Sequence, residues 1–175
     1  MSGLLIALGG LPGVGKTTIA RLLAGKLAAT HLRIDTIEQA LLRAGSLAQI
    51  GPEGYLAAYA LAADNLRLGH IVVADSVNPL PITREAWRAT AKEAGARLLE
   101  VEIVCSDQTE QRARLESRAA DIPGHRLPDW ETVVRRSYET WDTVDLRIDA
   151  CLLAAEQAAE RIAAEIETRW PKSAG

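Results

Sequence analysis

The sequence predicts an α/β fold: a five-stranded parallel sheet sandwiched by helices, with a small mobile lid, in one domain spanning residues 1–175. Three observations carry this expectation. Short runs rich in Val, Ile and Leu alternate with longer segments whose apolar positions recur every three to four residues. The runs are apolar almost throughout, as strands covered on both faces are, and not at every second position only. A glycine-rich turn joins the first run to the first periodic segment.

The strand candidates are 3–8 (GLLIAL), 31–34 (HLRI), 70–74 (HIVVA), 97–105 (RLLEVEIVC) and 146–149 (LRID). Between them, 17–29, 36–45, 54–69, 83–95 and 106–121 have helical periodicity, and several end at glycine, a common C-terminal signal. A final Ala-rich amphipathic helix is expected over 152–168. The Pro- and Gly-bearing stretch DIPGHRLPDW, 121–130, reads as a surface segment, and the lid is placed at about 112–130.

Composition narrows the function classes. A net charge of -3 gives no general case for nucleic acid or an acidic membrane surface. No apolar run approaches the roughly 18 to 20 residues needed to span a bilayer, and glycines followed by Lys16 interrupt the apolar start too early for a signal peptide. A cytoplasmic protein is expected. Cys105 and Cys151 lie far apart without metal-ligand spacing, and they read as two reduced thiols.

The turn at 10–17, Gly-Leu-Pro-Gly-Val-Gly-Lys-Thr, fits GxxxxGK[ST], the phosphate-binding P-loop. A loop that aims several backbone N–H groups at an anion needs unusual dihedral angles and no Cβ in the way, which explains Gly10, Gly13 and Gly15 around Val14. The following helix adds its positive N-terminal end, where Thr18 also sits. Lys16 then reaches the β- and γ-phosphates, and the Thr17 hydroxyl can ligate Mg²⁺. The glycine spacing is GxxGxG, unlike the GxGxxG of a dinucleotide loop. The fold expected is therefore that of a P-loop NTPase, with ATP and Mg²⁺ as cofactors.

No NKxD element is present to read a guanine base, and the segment after the third strand reads DSVN instead of DxxG. A phosphotransferase needs an acceptor-side carboxylate, an acid near Mg²⁺ and cations over the phosphates, and each has a candidate. Asp35, read as the end of the second strand, is placed at the ligand crevice as a base or as a helix cap. Asp75 ends an apolar strand and can serve Mg²⁺ or the substrate, with a turn role as the alternative. Arg114 and Arg118 share one helix face as lid cations, whereas Arg112 reads equally as a surface partner of Glu116. Trp87, Trp130 and Trp141 read as packing residues, and Tyr55 and Tyr59 share a face toward the core or the acceptor pocket. His31 and His125 have no metal-ligand spacing, and Glu131, Arg135 and Arg136 read as a surface helix face.

With these residues in place, the chain resembles the P-loop kinase group that includes bacteriophage polynucleotide 5′-kinase, zeta toxins and chloramphenicol phosphotransferase. It is more distantly similar to adenylylsulfate and gluconate kinases. The likeness covers most of 3–150: the P-loop, a strand-end Asp, VVADSVNP, and an R-x-x-x-R lid. The resemblance implies that Lys16 and Thr17 bind ATP and Mg²⁺ and that Arg114 lies beside the nucleotide. It also implies Asp35 as general base, Asp75 and Asn78 on the acceptor side, and Arg118 on the phosphates. Polynucleotide kinases of the group have D-x-x-R after the second strand, whereas this chain has Asp35-Thr-Ile-Glu38. If Glu38 faces the acceptor, it repels a phosphorylated partner and suits a hydroxyl-rich, neutral or cationic one; a capping-box or exposed role is the other reading. A small hydroxyl-bearing molecule is thus the expected partner, with a 5′-hydroxyl polynucleotide or a nucleotide-dependent regulatory role as alternatives.

Overall fold

The computed structural model describes residues 2–45 and 49–171. β1 (Leu4–Gly9) is buried along its whole length. Its alternate residues serve two cores: Leu4, Ile6 and Leu8 on one face, Leu5 and Ala7 on the other. That double burial is why the run shows no period-two polarity. After α1 (Lys16–Leu27), β2 (Thr30–Arg33) passes directly into α2 (Ile34–Arg43). α3 (Glu53–Arg67), β3 (Ile71–Asp75), α4 (Pro81–Glu93) and β4 (Arg97–Val104) follow. The chain ends with α5 (Gln108–Ser117), α6 (Trp130–Arg135), β5 (Leu146–Asp149) and α7 (Ala155–Arg169).

The five strands are parallel in the order β2-β3-β1-β4-β5. One core packs α1 and α7 on the sheet through Ile19, Leu23, Ala158 and Ile162. The other packs the opposite helices through Ala58, Ala62, Leu66, Trp87 and Ala91. Small alanines on α3 bring that helix close to the strands, so Trp87 can fill the remaining depth; it is fully buried. The order places β1 between β3 and β4, so the loop leaving β1 opens at the sheet's carboxyl edge, where open parallel sheets bind ligands.

Each expected strand is present within one or two residues, and the expected sandwich is the observed fold. The differences lie in the loops. Asp35 is not the end of β2: the strand stops at Arg33, and Asp35 sits in the first turn of α2, where a carboxylate suits the helix dipole. Its side chain makes no cap hydrogen bond. The expected helix over 106–121 is shorter at both ends. Asp107 caps it by accepting from the Thr109 and Glu110 N–H groups at 2.8 and 3.2 Å, and the backbone turns extended at Arg118. The expected lid stretch, about 112–130, leads into α6, which is capped by Asp129 accepting from Thr132 N–H at 2.8 Å. The reading of Cys105 and Cys151 as reduced thiols is corrected, because they form a disulfide. They are 46 residues apart, but they follow β4 and β5, which pair with Val104 opposite Asp149, and this brings the two Cα atoms within 5.2 Å. Among the described residues, no helix is long and apolar enough to cross a membrane.

Candidate active site

The turn between β1 and α1 has the backbone its glycines allow. Gly10, Gly13 and Gly15 have φ of 136°, 86° and 95°, in the region that L side chains rarely adopt. At Gly10 there is also no room, since a Cβ would lie 2.1 Å from the Ile103 carbonyl oxygen. The loop is braced from two sides. Gly10 N–H donates to the Val77 carbonyl at 3.0 Å, and the Gln111 amide donates to the Pro12 carbonyl at 2.9 Å. Buried Val14 anchors its middle.

Lys16 is the first residue of α1 and is almost fully buried. Its Nζ donates to the Leu11 carbonyl at 3.0 Å, curled back along the loop. Burial pulls its pKa down to about 8 against the pull of the Asp75 and Asp35 carboxylates, so it is cationic at neutral pH. Asp75 ends β3, buried, opposite Leu8 on β1 and Arg33 on β2. Burial alone would push its carboxyl up. The His31 ring at 3.2 Å, the Lys16 charge and the Thr17 hydroxyl outweigh it and hold Asp75 below the usual range.

Two cavities flank these residues. The first, of about 500 Å³, is lined by 13–19, by Arg21, Arg114, Arg118 and Asp121, and by Ala150 and 153–155. The second, of about 490 Å³, holds Asp35, Glu38, Tyr55, Asp75, His125 and Arg136 among its walls. Lys16, Thr17 and Arg118 line both. The cavities therefore meet at the P-loop lysine, the P-loop hydroxyl and the arginine that follows α5.

Most of the residues singled out from sequence come together here. Gly13, Val14, Gly15, Thr18 and Arg114 are on the first side. Arg114 donates to the Ala150 carbonyl at 3.0 Å and pairs with Glu110. Asp35 and Glu38 are one turn apart on the second side. Asp35 lies 3.6 Å from Arg33 and 3.9 Å from His125. Burial and the nearby Asp35 push the Glu38 carboxyl up to about 7, with Arg136 opposing. Glu38 makes no capping box; it packs against Gly54, where a Cβ would meet its Cγ at 2.3 Å.

Asn78 behaves differently. It is fully buried behind the cleft wall, with φ of 48°, and its amide is used up internally. Nδ2 donates to the Leu8 carbonyl at 2.8 Å, and Oδ1 accepts from Trp87 Nε1 at 3.0 Å. It ties the end of β1 to α4 and holds the wall from behind. Arg112 pairs with Glu116 at 2.7 Å on the surface.

Sequence reading missed several groups. His125 and Arg136 line the second cavity; Tyr55, read from sequence as facing the core or the acceptor pocket, does both, packing on the core and lining the cavity, where its hydroxyl accepts from Asn78 N–H at 3.3 Å. Arg33 is buried at the end of β2, and through Nη1 it donates to Asp121 at 2.8 Å. No spacing signal marks His125, Arg136 or Arg33, because segments distant in sequence meet to place them.

The donor set fits a nucleotide with its cation. A loop with positive φ at three glycines, leading into a helix N-terminus with a buried lysine and a neighbouring hydroxyl, matches a polyphosphate. Among the described residues, no group of three or more His, Cys, Asp or Glu could hold a metal by itself. Thr17 and Asp75 would share an Mg²⁺ with phosphate oxygens, as the P-loop chemistry requires.

A family model described as an AAA domain (AAA_33) matches residues 5–137. No curated protein matches the sequence. Among solved structures, the chain is similar to Mycobacterium tuberculosis APS kinase CysC in complex with AMPPNP and APS. That match has a TM-score of 0.73 at 22% identity, covering 95% of this chain and 98% of the other. The Deinococcus radiodurans tunicamycin resistance protein matches with a TM-score of 0.66 at 20% identity, over 94% and 95% of the two chains. A gluconokinase from Sinorhizobium meliloti 1021 gives 0.61 at 16%, over 94% and 96%. At these identities the likeness is one of fold.

Proposed function

The chain belongs to the AAA domain family AAA_33, a P-loop kinase domain, and from that premise we propose an ATP- and Mg²⁺-dependent kinase acting on a small molecule. The acceptor is a hydroxyl of a sugar, nucleoside, antibiotic or similar metabolite. The observation that carries this reading is the meeting of two cavities at Lys16, Thr17 and Arg118, with Asp35 lining the second cavity and not the first. A switch or regulatory ATPase needs no second cavity of equal size with its own carboxylates.

The P-loop amides and Lys16 hold the β- and γ-phosphates, and Arg114 flanks the nucleotide. Thr17 and Asp75 would hold Mg²⁺, which would supply charge neutralisation at the phosphates. Asp35 orients the acceptor hydroxyl and takes its proton as the oxygen forms its bond to the γ-phosphorus. The bond from that phosphorus to the β–γ bridging oxygen breaks, and ADP leaves with the electron pair. Arg118, lining both sides, offsets the charge spread over the phosphoryl group in transit. Before transfer, closure of the lid, about 112–130, over both ligands excludes water. A cytoplasmic placement supplies the ATP.

The test is ATP turnover with Mg²⁺ against a panel of hydroxyl compounds and a 5′-hydroxyl oligonucleotide, with Asp35→Asn beside the wild type. Phosphorylation of a small molecule, lost in the variant, is the expected result. Labelling of the oligonucleotide would replace the acceptor class. Turnover that no acceptor raises and that Asp35→Asn leaves unchanged would overturn the kinase reading.

A further inference from the structure

We infer that the second cavity contains an oxyanion subsite formed by Arg126 and Arg136, so that the acceptor is a hydroxyl compound that also carries a carboxylate, sulfate or phosphate group. This rests on the kinase reading above and narrows its acceptor.

The argument is a count of partners. Four carboxylates line the cavity, and three are engaged. Asp75 is held by His31, Lys16 and Thr17, and Asp129 caps α6 through Thr132 N–H. Asp35 lies between Arg33 and His125. On the cationic side, Lys16 faces the loop, and Arg118 lies 3.6 Å from Asp121. Arg126 and Arg136 line the same cavity, and neither has a carboxylate within ion-pair distance among the described residues.

These two arginines are also separate from the nucleotide's own set. Arg21, Arg114 and Arg118 line the first cavity, whereas Arg126 and Arg136 line only the second. They flank α6, and their neighbour Arg135 turns to the surface to pair with Glu131 at 3.4 Å. Two exposed guanidinium groups lining one cavity, neither paired with a carboxylate among the described residues, suit an anion that takes paired hydrogen bonds. Glu38 is the acid that opposes this. With its carboxyl pushed up to about 7, it is partly neutral at physiological pH and does not cancel two arginines. As a protonated or hydrogen-bonded acid it serves a hydroxyl beside the anion.

The test separates this subsite from the kinase reading by holding the nucleotide in place without turnover. Protein saturated with AMPPNP and Mg²⁺ is titrated with acetate, sulfate or inorganic phosphate at constant ionic strength, and binding is read as a thermal shift and by calorimetry. At least one of the three anions binds the wild type. In Arg126→Gln/Arg136→Gln its affinity falls by about tenfold or more, while Arg135→Gln binds as wild type. Response to acetate alone assigns a carboxylate-bearing acceptor, and response to sulfate or phosphate assigns an ester. No anion bound to the AMPPNP-loaded wild type would overturn the subsite and leave the kinase reading standing. A double variant that weakens AMPPNP and spares the anion would also overturn it, by assigning both arginines to the nucleotide. Failure of AMPPNP itself to bind would defeat the kinase reading, and the subsite with it.

Discussion

Arg33, at the end of β2, donates through Nη1 to Asp121 in the lid at 2.8 Å, across 88 positions of sequence. The guanidinium is buried, and its Nε and Nη2 have no hydrogen-bond partner. Asp121 also pairs with Arg21 on α1. One carboxylate thus ties the segment after α5 to β2 and α1, and it is the nearer of two carboxylates beside the Arg33 guanidinium, Asp35 lying at 3.6 Å.

Asp121→Asn is expected to cost about 1–3 kcal/mol of stability, because Arg33 then keeps a buried charge with only the longer 3.6 Å contact to Asp35. Urea denaturation reads the loss, and limited proteolysis reads faster cleavage within 118–129. The Arg33 hydrogen bond, against a smaller burial effect and with Arg21 adding to it, holds the Asp121 carboxyl well below the usual carboxylate range. The contribution is therefore whole above the ordinary aspartate value and shrinks as pH falls below about 3.9. The variant should lack that acid-side loss, and a variant as stable as wild type would dismiss the clasp.

Glu38 titrates with the opposite sign. Burial and Asp35 raise its carboxyl from 4.5 to about 7, so the native state binds more protons than the unfolded chain between those values. Its contribution is whole below pH 4.5 and is lost as pH rises toward 7. Wild type should therefore lose stability relative to Glu38→Gln across that window, with no further divergence above it. Parallel denaturation midpoints at pH 5, 6, 7 and 8 for the two proteins would contradict the shift.

Gly54 is the space Glu38 occupies. A Cβ there would lie 2.3 Å from Glu38 Cγ and 2.9 Å from its Oε1. Gly54→Ala should cost about 1–3 kcal/mol through overpacking and displace Glu38 from the cavity. Pairing it with Glu38→Ala removes the clash, so the double variant should recover part of the loss. Strict additivity in that cycle would place the strain elsewhere.

Asn78 tests the wall behind the cleft. Asn78→Ala leaves the Leu8 carbonyl and the Trp87 indole N–H without their buried partner, at φ of 48° where alanine is strained. A loss of about 2–4 kcal/mol is expected by denaturation. Acceptor affinity measured well below the melting range should change little, since the side chain does not line the cavity. A large rise in KM with unchanged stability would return Asn78 to the acceptor side.

The glycine signature and the strand runs were legible because they are local. A nest of amides for phosphate needs three positive φ values in a row of residues, and only glycine takes them cheaply. A strand buried on both faces must be apolar at successive positions, so β1 and β3 declare themselves without any knowledge of their neighbours. Asp75, Lys16 and Thr17 inherit their places from those elements, and Asp35 falls within two residues of a strand end. What lay out of reach depended on chain segments meeting. Cys105 and Cys151 bond because β4 and β5 pair in a given register. Asn78 has the composition of a ligand contact and the position of a strut, which only its burial between Leu8 and Trp87 decides. Arg33, Asp121, Arg126 and Arg136 carry no periodic or motif signal, and their partners are chosen by how the lid returns over the sheet. The sequence by itself determined the fold and the phosphate loop, because dihedral freedom and burial are written residue by residue. Tertiary structure decided which charges face the acceptor, because pairing and desolvation depend on distances across the chain.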